Sequence, residues 1–173
     1  TMDEAARQAA SLAGPTWILA LKQTSARGRR GRAWQHPEGN FAATLVMPAP
    51  VPHEAALRSF VAALALHDAL TALSVDDLAL KWPNDVLVGG RKVAGILLET
   101  RASGRLAIGK GSNRRAAPPQ AVLEEGAVAP MALGLDVTPT AVLDILAPAF
   151  TSWEEQLATL GFDPIRAAWL QRA

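Results

Sequence analysis

Between Leu78 and Ile108 the chain reads as strand after strand with only turns between them, and this run limits the possible folds most. Leu78 to Trp82 is a short apolar segment, Pro83-Asn84-Asp85 punctuates it, and Val86-Leu87-Val88 resumes it. Gly89-Gly90 is a hairpin signal, because both positions tolerate the positive φ that tight turns demand. Lys92 to Glu99 returns as a strand, and the turn at Arg101 to Gly104 leads into another from Arg105 to Ile108. Turns this short join antiparallel strands, since parallel neighbours need a crossover of about a dozen residues or more. Trp17 to Gln23 and Phe41 to Met47 read as two further strands. The expected class is α+β: a mixed, largely antiparallel sheet flanked by helices, not a doubly wound array.

The helices are legible from spacing. Thr1-Met2-Asp3-Glu4 has the form of a capping box, opening a short helix to about Leu12; so ready-made a cap suggests that residues precede it. Ala55 to Leu73 carries Leu57, Phe60, Val61 and Leu64 on one face, with Leu66, Leu70 and Leu73 on others, so it should lie largely buried. A helix from about Pro139 sets Leu143, Leu146, Phe150, Trp153, Leu157 and Leu160 in one stripe; Pro148 should kink it and Gly161 end it. Asp163-Pro164 should cap a last short helix.

Composition narrows the function. Of 173 residues 50% are hydrophobic and 19% charged, with a formal net charge of +1, so the chain can bury a core and is not disordered. No stretch approaches the ~18 consecutive apolar residues of a membrane span, and no signal peptide is visible. With no cysteine, thiolate chemistry is excluded, and His36, His53 and His67 lack metal-ligand spacing, leaving any metal ligands unknown. A single cytoplasmic domain over residues 1–173 is expected.

Three segments could carry chemistry. Arg27-Gly28-Arg29-Arg30-Gly31-Arg32, with Gln23 before it and Trp34 after it, brings guanidinium groups and backbone N–H groups together as an anion site. A charge run alone is more often a solvated loop, and an RNA-binding module is another reading of it. Lys81-Trp82-Pro83-Asn84-Asp85, followed by Lys92-Val93-Ala94-Gly95-Ile96-Leu97-Leu98-Glu99, places two lysines in apolar strands, where an ammonium needs a partner or a ligand. Pairing of Lys81 and Lys92 with Asp85 or Glu99, with nothing bound, is the plain alternative. Gly104 to Asn113 nearly matches a phosphate-binding P-loop, but Gly111 stands where Ser or Thr is required, and the dinucleotide fingerprint fails at Arg114.

Taken in order, these segments resemble the catalytic domain of the biotin–protein ligases. That family shows a Ser-Thr-Asn helix start, a Gln before a Gly-Arg-Gly-Arg-Arg-Gly-Arg-x-Trp loop, Lys-Trp-Pro-Asn-Asp, Lys-x-Ala-Gly-Ile-Leu and Gly-x-Gly-x-Asn. The resemblance implies the fold shared by biotin and lipoate ligases and class II aminoacyl-tRNA synthetases. It implies formation of biotinyl-5′-AMP from biotin and MgATP, then transfer of biotin to one lysine of a carboxyl carrier domain, as in acetyl-CoA carboxylase. It further implies a biotin site of Thr1, Met2, Gln23, Arg27, Gly28, Arg29, Lys92 and Gly95. The corresponding ATP site is Arg29, Arg32, Trp34, Lys81, Asn84, Lys92 and Asn113, with Mg2+ accompanying the nucleotide. Lys92 is the expected principal catalytic residue, bridging the biotin carboxylate and the α-phosphate, with Arg29 closing over the phosphate and Asp85 ordering Lys92 or a metal ion.

Met2, Ala26, Lys110 and Ser112 depart from the family pattern. Lys110 either reaches the ATP phosphates or marks a loop boundary. Disorder without ligand is expected over 26–32 and 112–127. The family's C-terminal β-barrel and the DNA-binding domain of some members are expected to be absent, so no DNA or membrane partner is expected, while a homodimer fits the family. A lipoate or octanoate–protein ligase of the same fold is the runner-up.

Overall fold

A computed structural model of the chain describes residues 1–27, 40–101, 103–112 and 133–173. Its order is α1 (Met2–Gln8), β1 (Thr16–Leu19), β2 (Phe41–Pro48), α2 (Pro52–Ala72), β3 (Leu78–Lys81), β4 (Asp85–Val88), β5 (Arg91–Arg101), β6 (Arg105–Ser112), α3 (Pro139–Leu160) and α4 (Phe162–Leu170). The strands form one six-stranded sheet in the order β1-β2-β6-β5-β4-β3, every pairing antiparallel. The expected α+β class therefore holds. β3 to β6 form a meander, and β6 closes against β2.

Alternation along the strands divides the side chains between two faces. One face takes Phe41, Ala43 and Leu45 of β2, Leu106 and Ile108 of β6 and Ile96 of β5 into the main core beneath α2, α3 and α4. The other takes Val46, Ala107, Ile18 and Leu97 into a small cluster under α1, with Met2, Ala5 and Ala9. α2 is long and apolar enough to match a membrane span by length and composition. Its apolar surface is consumed by the core instead, since Val61 through Leu66 are all buried. Arg58 ties α2 to α3, its Nε donating to Glu154 Oε1 at 3.0 Å. Trp153 Nε1 donates to Asp68 Oδ2 at 2.7 Å. Burial pushes the Asp68 carboxyl up, but hydrogen bonds from His67 and Trp153 and the charge of Arg172 outweigh it and hold the group below the usual carboxylate range.

Several boundaries differ from the sequence reading. Thr1 does stand at the N-cap of α1, but its side chain makes no capping bond, and the Glu4 carboxylate accepts from Arg7 and Gln8. The chain leaves the β1 ladder after Ala20, whose N–H still donates to Ala42 O, so Gln23 lies beyond the strand. α4 is capped by Gly161 rather than Asp163, and the stripe on α3 loses Leu160, which is 65% exposed where the helix ends at Gly161. Pro148 lies inside α3, as the sequence places it.

The largest difference is β6, which runs on to Ser112 instead of stopping at Ile108. Gly109 and Gly111 read as loop signals, yet they are strand positions at which neighbouring groups come close. Because both lie on the α1 face, Lys110 between them points the other way. It joins the row Ile96–Lys110–Ala43 on the core side. Its Nζ lies 4.3 Å from the Phe150 ring centre and 4.8 Å from that of Trp17, with no hydrogen-bond partner among the described residues. Lys110 thus neither reaches a nucleotide phosphate nor marks a loop boundary.

Burial alone drives the Lys110 ammonium well below its ordinary value of 10.5. The unfolded chain then holds this proton over a pH range in which the folded chain has lost it, so stability must rise with pH between the lowered folded value and 10.5. Lys110→Met should remove that slope, up to about 1.4 kcal/mol per pH unit, and raise stability at neutral pH. Urea denaturation of both proteins from pH 6 to 10 measures it; parallel curves would place the amine in water.

Candidate active site

The α1 face of the sheet holds most of the described site residues. Across its strands Asp85, Gly95, Gly111 and Ala42 are successive register partners, so the centre of this face is a floor almost without side chains. One step along, Leu97, Gly109 and Thr44 form the next row, and Met2 of α1 lies on it. A β-carbon at Gly109 would stand 2.8 Å from Met2 Sδ. Thr44 Oγ1 contacts the same sulfur at 3.5 Å. The small floor and the buried methionine thus set how closely α1 approaches the sheet.

At one end of the floor Lys92 Nζ donates to Asp85 Oδ1 at 2.5 Å, both side chains being 20% exposed. Strict alternation would set Lys92, three residues before Gly95, on the opposite face. It does not, because the β4–β5 ladder shifts register: Val86 pairs with Ala94 but Leu87 pairs with Lys92. The extra residue, Val93, makes a β-bulge, and Val93 and Ala94 are both buried in the main core. Lys92 is thereby returned to the face of Asp85 and Gly95. A β-carbon at Gly95 would stand 3.4 Å from Lys92 Cε, so the glycine gives the lysine room to lie along the floor.

Asn84 reinforces this corner. Its Nδ2 donates to Ile96 O and its own carbonyl accepts from Ile96 N, both at 2.9 Å, fixing the chain just before Asp85. The sequence reading turned this amide toward a nucleotide; one of its donors is committed to the backbone. Lys81 is exposed at the end of β3, opposite Asp85 in register. Of the plain pairings open in the sequence, Lys92 takes Asp85, whereas Glu99 is taken by an arginine.

That arginine is Arg27. Its Nε and one terminal nitrogen meet the two Glu99 oxygens at 3.2 Å each, and its other terminal nitrogen bonds Asp3 of α1. The hydrogen bonds to Glu99 and then Asp3 raise its guanidinium further above the ordinary arginine range. Gln23 is half-buried between β1 and Arg27. Gly28, Arg29, Arg32, Trp34 and Asn113 lie outside the described residues, as do 28–32 and 113–127 of the two segments expected to be disordered. The structure therefore gathers Met2, Arg27, Asp85, Lys92 and Gly95 on one face. It adds three features missed by the sequence reading: the bulge at Val93, and the roles of Asp3 and Glu99. Among the described residues no group of three His, Cys, Asp or Glu side chains could hold a metal ion.

A model of the biotin/lipoate A/B protein ligase family matches residues 1–110. The chain belongs to that family. The matched region covers α1, Arg27, the Lys92–Asp85 corner, β1 to β5 and β6 as far as Lys110. A biotin–[acetyl-CoA-carboxylase] ligase of Paracoccus denitrificans is 50% identical over 184 aligned positions, covering all of this chain and 77% of the relative. A bifunctional ligase/repressor of Bacillus subtilis is 29% identical, covering 89% of this chain and 50% of its own length. Among solved structures, a Leishmania major biotin protein ligase in complex with biotinyl-5-AMP superposes with a TM-score of 0.76 at 25% identity, covering 95% of this chain and 76% of that one. The Aquifex aeolicus biotin protein ligase in complex with biotin and ATP gives 0.75 at 25% identity, covering 91% and 68%.

The packing of Met2 on Gly109 makes a stability prediction. Gly109→Ala should cost about 1–3 kcal/mol by overpacking, and Met2→Ala in the same chain should recover part of it. Urea melts of the two single variants and the double variant test this, with simple additivity as the contrary result.

Proposed function

We propose that this chain activates biotin with MgATP to biotinyl-5′-AMP and transfers the biotinyl group to a lysine of a biotin carboxyl carrier domain. The observation that carries the reading is the Lys92–Asp85 pair lying beside the Gly95–Gly111 floor, in a chain of this ligase family. The first step brings two anions together, so its main obstacle is electrostatic. A carboxylate oxygen of biotin attacks the α-phosphorus, the new O–P bond forms, the α–β anhydride breaks and pyrophosphate leaves. An ammonium between carboxylate and α-phosphate offsets the repulsion, most effectively where water is excluded. Lys92 takes that place, and Asp85 fixes its direction at 2.5 Å. No protein nucleophile is needed; alignment of the two substrates supplies much of the rate.

In the second step a neutral lysine amine of the carrier attacks the mixed-anhydride carbonyl. An amide forms, AMP leaves, and the amine loses a proton. Thr1, Met2, Gln23, Gly95 and the backbone from Arg27 through Arg29 are assigned to biotin. Arg29, Arg32, Trp34, Lys81, Asn84 and Asn113 are assigned to ATP, by their places in the family motifs. The acceptor is the carrier domain of acetyl-CoA carboxylase or a related carboxylase, and the use of ATP fits a cytoplasmic enzyme.

Lys92→Ala should lower biotin-dependent pyrophosphate release by about 10²–10³-fold, the scale for removing one preorganised charge-stabilising donor, with little change in the unfolding midpoint. Activity near that of the unaltered protein would assign the role to another group. Because the family spans biotin and lipoate ligases, thermal shifts with each acid plus MgATP decide the substrate. Stabilisation by biotin is expected, and stabilisation by lipoate alone would overturn the choice.

A further inference from the structure

The mechanism makes no use of Glu99 or Asp3, yet both hold Arg27, the last described residue of the arginine-rich segment. Glu99 lies on the same face of β5 as Gly95, opposite Ala107 in register, and so borders the ground covered by α1. Asp3 is in the first turn of α1. The guanidinium between them joins three pieces of chain that each supply residues to the site: α1 with Met2, the segment after β1 with Gln23, and β5 with Lys92 and Gly95. The Arg27 and Glu99 side chains are 29% and 26% exposed, and the contact is two-pronged. A single exposed ion pair would contribute little, whereas a partly buried fork fixes direction as well as distance. With two carboxylates on it, this guanidinium is committed to the protein rather than to a substrate anion.

We propose that Glu99, assisted by Asp3, is a positioning residue for biotin: it grips Arg27 and so sets where the backbone from Gln23 to Arg27 stands against the floor. The proposal rests on the function given above and names a residue that acts through another. Lys92 and Asp85 lie at the far end of the floor, so the effect falls on biotin binding and not on the adenylyl-transfer step.

The test uses Glu99→Gln, which keeps the side-chain shape and removes the charge, with Arg27→Gln and the double variant. By titration calorimetry Glu99→Gln should weaken biotin binding by about tenfold, with Arg27→Gln doing the same and the double variant no worse than either. The kcat for pyrophosphate release at saturating biotin and the unfolding midpoint of Glu99→Gln should stay near those of the unaltered protein. Biotin affinity unchanged in Glu99→Gln, or effects that add in the double variant, would overturn the proposal. Hydrogen exchange of the ligand-free proteins gives a second, substrate-independent reading. Amides 23–27 should exchange faster in Glu99→Gln while those of β5 and β6 keep their protection, and unchanged exchange at 23–27 would again contradict the grip. If the unaltered protein bound no biotin, the functional reading would fail by itself, and the exchange data would still decide whether Glu99 orders this segment.

Discussion

One irregularity in the sheet underlies the account: the extra residue at Val93 in the β4–β5 ladder. An ammonium in an apolar strand has two destinations, one on each face, and here the opposite face is the main core. The bulge sends Val93 and Ala94 into that core and brings Lys92 round to Asp85 and Gly95. The carboxylate then compensates the partly buried charge and gives it a direction. A lysine held in this way is a preorganised positive charge at the edge of an open floor, as the joining of two anions requires.

β6 shows how closely the two faces are coupled. Gly109 and Gly111 leave the α1 side bare, so Met2 can descend onto one and Gly95 can stand opposite the other. The residue between them must enter the core, and in this chain it is Lys110, set against the rings of Phe150 and Trp17. A buried amine with no hydrogen-bond partner costs stability that an apolar side chain would not. The lowered Lys110 ammonium would tie the stability of this core to pH through a residue directly behind the floor.

The class of fold, the helices and the antiparallel order were legible in the sequence because they rest on local signals: Gly89-Gly90, the spacing along α2 and α3, and short turns between apolar runs. The candidate site rests on motif order, which singles out Lys92, Asp85, Gly95 and Arg27 without giving their geometry. What escaped depends on pairing between strands. A bulge is a property of two strands together, so nothing in Lys92-Val93-Ala94-Gly95 alone announces it. The glycines of β6 carry the same composition signal as a loop, and only the approach of α1 makes them strand positions. Likewise the carboxylates that hold Arg27 lie 24 positions before it and 72 after it, beyond any window of spacing.

The most direct measurement is a crystal structure of the protein with biotinyl-5′-AMP bound. The account predicts the acyl-phosphate linkage within hydrogen-bond distance of Lys92 Nζ, with Asp85 still accepting from that ammonium and the biotin ring over Gly95 and Gly111. An adenylate seated elsewhere, or Lys92 turned away from it toward solvent, would contradict the account at its root.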